Sequence, residues 1–450
     1  MATRKRSTRP ATPSPAAAPA GGTSASSSMD DLMLAALARN DGSLQTGRYL
    51  VTFKDGALEA GMAAMAGRSM RVADARDFEG QAMAMADTGD ADAVVFPEIG
   101  VALIGGAAAQ EQGMAALASG LAEPAPEDGD SAIEVIEPEY FVFADGGVDD
   151  YLRGFLRATE TIARDLGQAE ASPPEDDEAS ALVLGNTWGL VACRVPPSTR
   201  SGAGMRVAVL DTGMDLGHPD FAGRVAAAQS FVGQPVQDLH SHGTHCIGTA
   251  CGPRAPAGTT PRYGVAYGAR IYVGKVLSNA GGGSTASVLA GMNWAIANKC
   301  AVISMSLGSQ APVQAAYTAA GAQALAKGCL VVAAAGNDYG APTGAPANSP
   351  TIMAVASLDR NLAPSNFSNQ GKIQIAAPGR DVFSSVPRPT RYGTKSGTSM
   401  ATPHVAGCAA LWAQTASGLR GMALWNRLLA TARPLPYAAS KVGRGLVQAP

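Results

Sequence analysis

The 450-residue sequence has no run of about 18 apolar residues, so no segment reads as a membrane-spanning helix. Its first thirty residues are Ser, Ala, Pro and Arg without the apolar core of a secretory signal peptide, which leads us to expect cytoplasmic action or an unconventional exit. Charge is scarce as well. Only 16% of residues are charged, the net charge is −3, and no basic stripe interleaved with aromatics is present, so nothing points to a nucleic-acid partner. The basic cluster Arg4-Lys5-Arg6 with Arg9 reads as a solvated tail. Six cysteines, Cys193, Cys246, Cys251, Cys300, Cys329 and Cys408, have no CxxC spacing, which argues against structural zinc. Several fall inside apolar runs and read as buried free thiols; one bridge stays open between Cys300 and Cys329, which each open a predicted strand.

What the chain does have is 46% hydrophobic residues over a length that suits one large domain plus smaller parts. Residues 1–45 form an Ala/Pro/Ser-rich tail that cannot bury enough surface to fold, apart from a short helix predicted from Asp30 to Ala38. Residues 46–144 alternate strand and helix patterns in the order β-α-β-β-α-β, ending on a strand from Ala132 to Ala144. That order describes a small α+β, ferredoxin-like open sheet backed by two helices. Residues 145–185 are an acidic linker in which Leu152, Phe155, Leu156, Thr159, Ile162 and Leu166 recur at helical spacing. From residue 186 to 450, short apolar strands alternate with helical stretches, the pattern of an α/β domain whose mainly parallel sheet is covered by helices on both faces. In such sheets chemistry gathers at the carboxyl ends of the strands, where Asp211, Ser306 and Asn337 fall.

Three polar segments stand out. Asp211-Thr212-Gly213 places a carboxylate at the end of a buried strand, where charge is costly unless hydrogen-bonded. His242-Gly243-Thr244-His245 opens a helix; the nearby His240 invites a metal reading, but neither an HExxH helix nor a carboxylate ligand at i+4 accompanies it, so no metal is expected. Gly397-Thr398-Ser399-Met400 precedes Pro403 and His404, and its small residues present the Ser399 hydroxyl at a helix N-terminus, with Pro403 expected in the first turn. A serine needs a histidine to take its proton, and the histidine needs a buried carboxylate to orient it. Asn337, after the glycine of Ala335-Gly336, adds an amide donor at a strand end for a developing oxyanion.

On these residues the chain resembles the subtilases, whose four signatures it matches in order between about Thr187 and Pro450. The resemblance implies a subtilisin-like three-layer catalytic domain and a serine endopeptidase with Asp211, His242 and Ser399 as its triad and Asn337 in its oxyanion hole. It further implies that Gly281, Gly282 and Gly283 pair with an extended substrate, that Ser306, Leu307 and Gly308 line the S1 pocket, and that Gly344 floors it. A pocket floored by glycine suits apolar side chains. Residues 46–144 resemble the family's inhibitory propeptide, with cleavage expected after Ala144 and a second cut near Ser180. Two departures matter. The segment Gly252 to Thr260, where many relatives carry a calcium loop, has no carboxylate and no Asn, and Asp220 alone is too little for a cation that takes 6–8 oxygens, so no cofactor is expected. The missing signal peptide is the other. The partners expected are a polypeptide substrate and the chain's own propeptide, on a monomer. A peptide transamidase or macrocyclase on the same scaffold, and a non-catalytic binding module, are the competing readings; an intact triad speaks against the latter.

Overall fold

The computed structural model describes residue 25 and residues 27–39, 43–81, 83, 85–118, 132–144 and 185–450. The predicted linker, its amphipathic helix and the cut near Ser180 lie outside them. No described helix is long and apolar enough to cross a membrane.

The N-terminal part holds α1 (Met29–Arg39), β1 (Gln45–Phe53), α2 (Leu58–Gly67), β2 (Val72–Asp74), β3 (Ala93–Phe96), β4 (Val101–Ile104), α3 (Gly106–Glu111), α4 (Met114–Ala118) and β5 (Ile133–Phe143). The helix expected from Ala108 to Leu117 is thus two helices, broken at Gly113, where φ is 64°. The short edge strand β2 was not anticipated. The sheet runs β2-β3-β4-β1-β5. Strand side chains alternate between two cores. Val51, Val95, Ala102 and Ile104 pack with Met65, Ala109 and Met114 of the covering helices, whereas Leu50, Val94, Phe96 and Leu103 join the main core of the larger domain. Neither face of this open sheet is left to water.

The larger part contains α5 (Trp188–Ala192), β6 (Arg206–Asp211), β7 (Val225–Ser230), α6 (His242–Cys251), β8 (Arg270–Lys275), β9 (Gly282–Ser284), α7 (Thr285–Ala297), β10 (Val302–Met305), α8 (Ala315–Ala326) and β11 (Leu330–Ala334). Then follow β12 (Met353–Leu358), β13 (Ile375–Pro378), β14 (Val382–Ser385), β15 (Tyr392–Lys395), α9 (Thr398–Thr415), α10 (Gly421–Thr431) and α11 (Ala439–Val442). Seven strands make one parallel sheet in the order β13-β12-β11-β10-β6-β8-β7. Strands β10, β11, β12 and β13 are buried at every residue, as a sheet covered on both faces requires. The chain reverses its direction of travel across the sheet at β6, so the carboxyl ends of β6, β10 and β11 open a crevice at a topological switch point.

All six cysteines are buried and free, including Cys300 and Cys329, whose strands are neighbours. One boundary needs correction. Residues 1–45 were placed in the tail because they are compositionally poor, yet of the described residues among them Met29, Leu32 and Met33 are buried against Phe141 and Phe143. Their stripe at i, i+3 and i+4 finds its partner more than a hundred residues away, which composition does not report.

Candidate active site

Strand β6 delivers Asp211 to the crevice, 1% exposed. Its Oδ1 accepts from the Thr212 N–H at 2.7 Å and lies 2.8 Å from His242 Nδ1. His242 is the first residue of α6 and fully buried. The turn before it is built around the buried Asp238. Asp238 Oδ1 accepts from the N–H groups of His240 and Ser241 and from the Thr212 hydroxyl, all at 2.9 Å; Oδ2 accepts from the Thr244 N–H and hydroxyl at 2.9 and 2.7 Å. The Thr212 hydroxyl in turn accepts from the Gly243 N–H at 2.9 Å. Strand end and helix start are therefore locked together, which fixes the imidazole against the carboxylate. Sequence reasoning missed Asp238, although a carboxylate just before a helix, where first-turn N–H groups seek acceptors, was the available signal. Lys275, buried at the end of β8, donates to the Thr212 carbonyl and, at 2.8 Å, to Asn279 Oδ1. Burial pushes its pKa down to about 8 against the pull of Asp238 and Asp211.

Ser399 is the second residue of α9. Pro403 does not sit in the first turn as expected but one turn deeper, where its missing N–H would have bonded the Ser399 carbonyl. The Ser306 hydroxyl at 2.7 Å and the Cys246 thiol at 3.5 Å donate to that carbonyl instead. The helical defect thus ties the Ser399 turn to the end of β10 and to α6. Cys246 also lies 3.8 Å from His242 Nδ1, and burial pushes its thiol pKa up. The Ser399 hydroxyl is 3.2 Å from the carbonyl oxygen of Ala144 and 3.3 Å from that of Ser306.

Asn337 follows β11. Its Oδ1 accepts from the Thr398 N–H at 2.8 Å and the Thr398 hydroxyl at 3.0 Å, which leaves the amide N–H pair as the end able to meet an anion. The first-turn N–H of Ser399 is a second candidate donor, since helix starts leave such groups without intrahelical acceptors. The turn into Asn337 requires Gly336, where φ is 110° and an added Cβ would lie 2.3 Å from Asn369 Nδ2.

The predicted substrate edges converge on the chain's own strand. Phe141, Val142 and Phe143 pair antiparallel with Ser284, Gly283 and Gly282 of β9. The Ala144 N–H donates to the Gly281 carbonyl at 2.9 Å, and Phe143 and Gly308 exchange both backbone hydrogen bonds at 3.0 Å. Beyond Ala144 and Ser399 opens a cavity of about 90 Å³, lined among others by Leu307, Gly308, Ala334, Gly344 and Ala345. Gly344 belongs to its wall, and an added Cβ there would meet the Ser309 carbonyl at 2.5 Å. Lys372 braces the chain just behind that wall, donating to the carbonyls of Ala347 at 2.6 Å, Ser349 at 2.5 Å and Ile352. A lone lysine far along the sequence carried no signal of this role.

Two carboxylates of β5 fasten the N-terminal sheet beside the crevice. Glu137 accepts from the N–H groups of Ala315 and Ala316 at the start of α8, at 3.0 and 2.7 Å. Glu139 accepts from the Ala286 N–H at the start of α7 at 2.9 Å. Both use a helix N-terminus as an anion site. Glu139 is also paired with Arg48, and neither side chain exceeds 1% exposure. Burial would raise the Glu139 pKa, but the Arg48 charge and hydrogen bonds hold it below the usual range.

Among the described residues, Asp211, His242 and Cys246 alone bring three potential metal ligands within 4.8 Å, and two of them are already hydrogen-bonded to each other. At the position where the sequence raised calcium, Asp220 Oδ2 accepts from the hydroxyls of Tyr263 at 2.5 Å and Tyr392 at 3.1 Å. The remaining histidines of α6 and α9 do not turn toward the crevice. His245 Nε2 binds the Val382 carbonyl at 2.9 Å, and His404 Nδ1 binds the Met400 carbonyl at 2.9 Å. Burial, helped by Lys395, pushes the His245 pKa down to about 3; burial pushes that of His404 down to about 4. Both stay neutral when folded while the unfolded chain protonates below about 6.5, so stability is full above that pH and drains as pH falls toward these folded values. The pair should cost about 4 kcal/mol between pH 7.5 and 5, read as a lower urea midpoint at pH 5. His245→Asn should shrink that pH dependence; an unchanged one would mean the histidines do not carry it.

The sequence profile described as the Subtilase family matches residues 202–445. Over 300 residues the chain is 38% identical to an alkaline protease of Alkalihalobacillus alcalophilus, covering 65% of this chain and 77% of that protein. It is 40% identical over 268 residues to subtilisin Savinase of Lederbergia lenta, covering 58% of this chain and 96% of that protein.

Proposed function

This chain belongs to the subtilase family and is a serine endopeptidase, and from that premise we propose that Asp211, His242 and Ser399 form its triad, that Asn337 binds the oxyanion, and that residues 46–144 inhibit it until the bond after Ala144 is cut. One observation carries the reading: the strand ending at Ala144 lies in the crevice as a substrate would, edge-paired on both sides, with the Ser399 hydroxyl 3.2 Å from its last carbonyl oxygen.

In this mechanism His242 takes the Ser399 proton as the hydroxyl oxygen attacks the carbonyl carbon, and Asp211 holds the imidazole in the tautomer that can accept it. The tetrahedral oxyanion is met by the Asn337 amide and the Ser399 N–H. Collapse expels the amine with the proton from His242, and water, activated by the same imidazole, releases the acyl group. The chain works on a polypeptide held by backbone pairing, with an apolar side chain larger than alanine filling the cavity next to Ser399. No step uses a cofactor.

Asn337→Leu tests the assignment, because it removes the donor while keeping the size. With a chromogenic peptide, kcat should fall about 10²–10³-fold at nearly constant KM, the size known for subtilisin's own oxyanion-hole asparagine. Turnover within a few-fold of wild type would remove Asn337 from the oxyanion hole.

A further inference from the structure

The self-inhibition read above accounts for β5 but not for the segment that lies over it. Helix α1 begins with a reciprocal cap: the Ser28 N–H and hydroxyl donate to Asp31 Oδ2 at 3.2 and 2.7 Å, and the Asp31 N–H returns a bond to the Ser28 hydroxyl at 3.2 Å. Such a cap specifies a helix start rather than a frayed tail. The inner face of α1 places Met29, Leu32 and Met33, at most 8% exposed, against Phe141 and Phe143, with Leu44 and Ala280 at the edge of the cluster. Both phenylalanines belong to the strand lying in the crevice.

Main-chain and charged contacts bind the same segment in place. The Leu44 carbonyl accepts from the Phe141 N–H at 2.9 Å, just where β1 ends its pairing with β5, and Leu44 reaches the cavity beside Ala144. Upstream of α1, the Ala25 carbonyl accepts from Arg48 Nη1 at 3.0 Å. The same buried guanidinium holds Glu139 and, at 3.1 Å, the Ser284 hydroxyl on the catalytic side. One arginine therefore joins the N-terminal segment, the inhibitory strand and the substrate edge β9. Breaking one of its contacts leaves buried polar groups unsatisfied, which favours release of the segment as a unit.

We propose that Ala25, the segment 27–39 with α1, and Leu44 make a second inhibitory element, a clasp closed over the strand in the crevice, and that its opening is the step that frees the active site after the bond following Ala144 has been hydrolysed. The proposal rests on the self-inhibition reading and adds its regulation. Cutting after Ala144 leaves the edge pairing, the two helix-cap carboxylates and the clasp intact, so the cut chain stays blocked. A protease or partner that removes or displaces this clasp uncovers Phe141 and Phe143 and weakens the remaining hold.

The test uses the full chain carrying Leu32→Asp, with Leu34→Asp, on the outer face of α1 at 61% exposure, as its control. Processing is followed by intact mass, and release by the rise of peptide hydrolysis after processing. The Leu32→Asp chain should reach full activity at least about tenfold faster after the cut than wild type, as burying a charge in that cluster demands, and Leu34→Asp should behave as wild type. Equal release rates for Leu32→Asp and wild type, with the cut near Ala144 intact in both, would overturn the clasp while leaving self-inhibition standing. A wild type that is active at once without any cut would overturn self-inhibition itself. Should Leu32→Asp fail to yield folded chain, Leu32→Ala, which only empties the contact, carries the same comparison with a smaller acceleration of release.

Discussion

Ser399→Ala should leave the purified chain at its full mass, while wild type is shortened to a new N-terminus at or after Asp145, and should lower kcat on the order of 10⁶-fold, the loss known for subtilisin's own nucleophile. The size follows from the lack of a substitute. The Ser306 hydroxyl is spent on the Ser399 carbonyl, 2.7 Å away, and faces the turn rather than the crevice strand. The Cys246 thiol is buried with its pKa pushed up, and it lies 3.8 Å from Nδ1, the nitrogen that already faces Asp211. A thiol kept protonated on the wrong side of the imidazole cannot inherit the reaction. The comparison is made by intact mass and N-terminal sequencing of both chains expressed alike. A Ser399→Ala chain trimmed at the same bond would show that another protease cuts it, and would sink self-processing without touching the hydrolase assignment.

The placement of the three polar segments and of Asn337 was legible because it is local: a carboxylate at a strand end, a histidine and a serine at helix starts, an amide after a glycine. The parallel sheet was legible too, from strands such as Leu330–Ala334 that are apolar at every position. Strands β7 and β13 were not singled out. Val225–Ser230 is half-buried along most of its length and reads like a loop, and Ile375–Pro378 is short and closes on a proline. What the sequence hid altogether are supports that exist only in three dimensions. Asp238 makes its five hydrogen bonds to residues of a strand end and a helix start, Ser306 and Cys246 repair a bond that Pro403 removes, and Lys372 closes on three carbonyls some twenty residues upstream. None of these pairs has a period or spacing of its own. Helix α1 is the intermediate case, since its apolar stripe was readable but its partner, Phe141 with Phe143, was not.

Asp211→Asn should lower kcat by about 10⁴-fold at nearly unchanged KM, less than the loss of Ser399 but more than that of Asn337. The wild-type carboxylate uses one oxygen, Oδ1, for both the Thr212 N–H at 2.7 Å and His242 Nδ1 at 2.8 Å, so the imidazole carries its proton on Nδ1 and Nε2 is the nitrogen that acts as base. An asparagine either keeps its oxygen on both donors and loses the negative charge that stabilises the imidazolium, or turns its amide end toward the ring. With the amide N–H pointing at Nδ1, that nitrogen must accept, the proton moves to Nε2, and the base toward Ser399 is lost. Neither the edge pairing nor the cavity depends on Asp211, so substrate binding should persist and the deficit should appear in kcat. The same factor should slow cleavage after Ala144, because the inhibitory strand and a free peptide use one active site. Steady-state kinetics on a peptide and the time course of intact mass check both halves. A loss below tenfold in either would mean that Asp238, Thr212 and Gly243 alone hold His242 in its working tautomer, and that the buried carboxylate has another task.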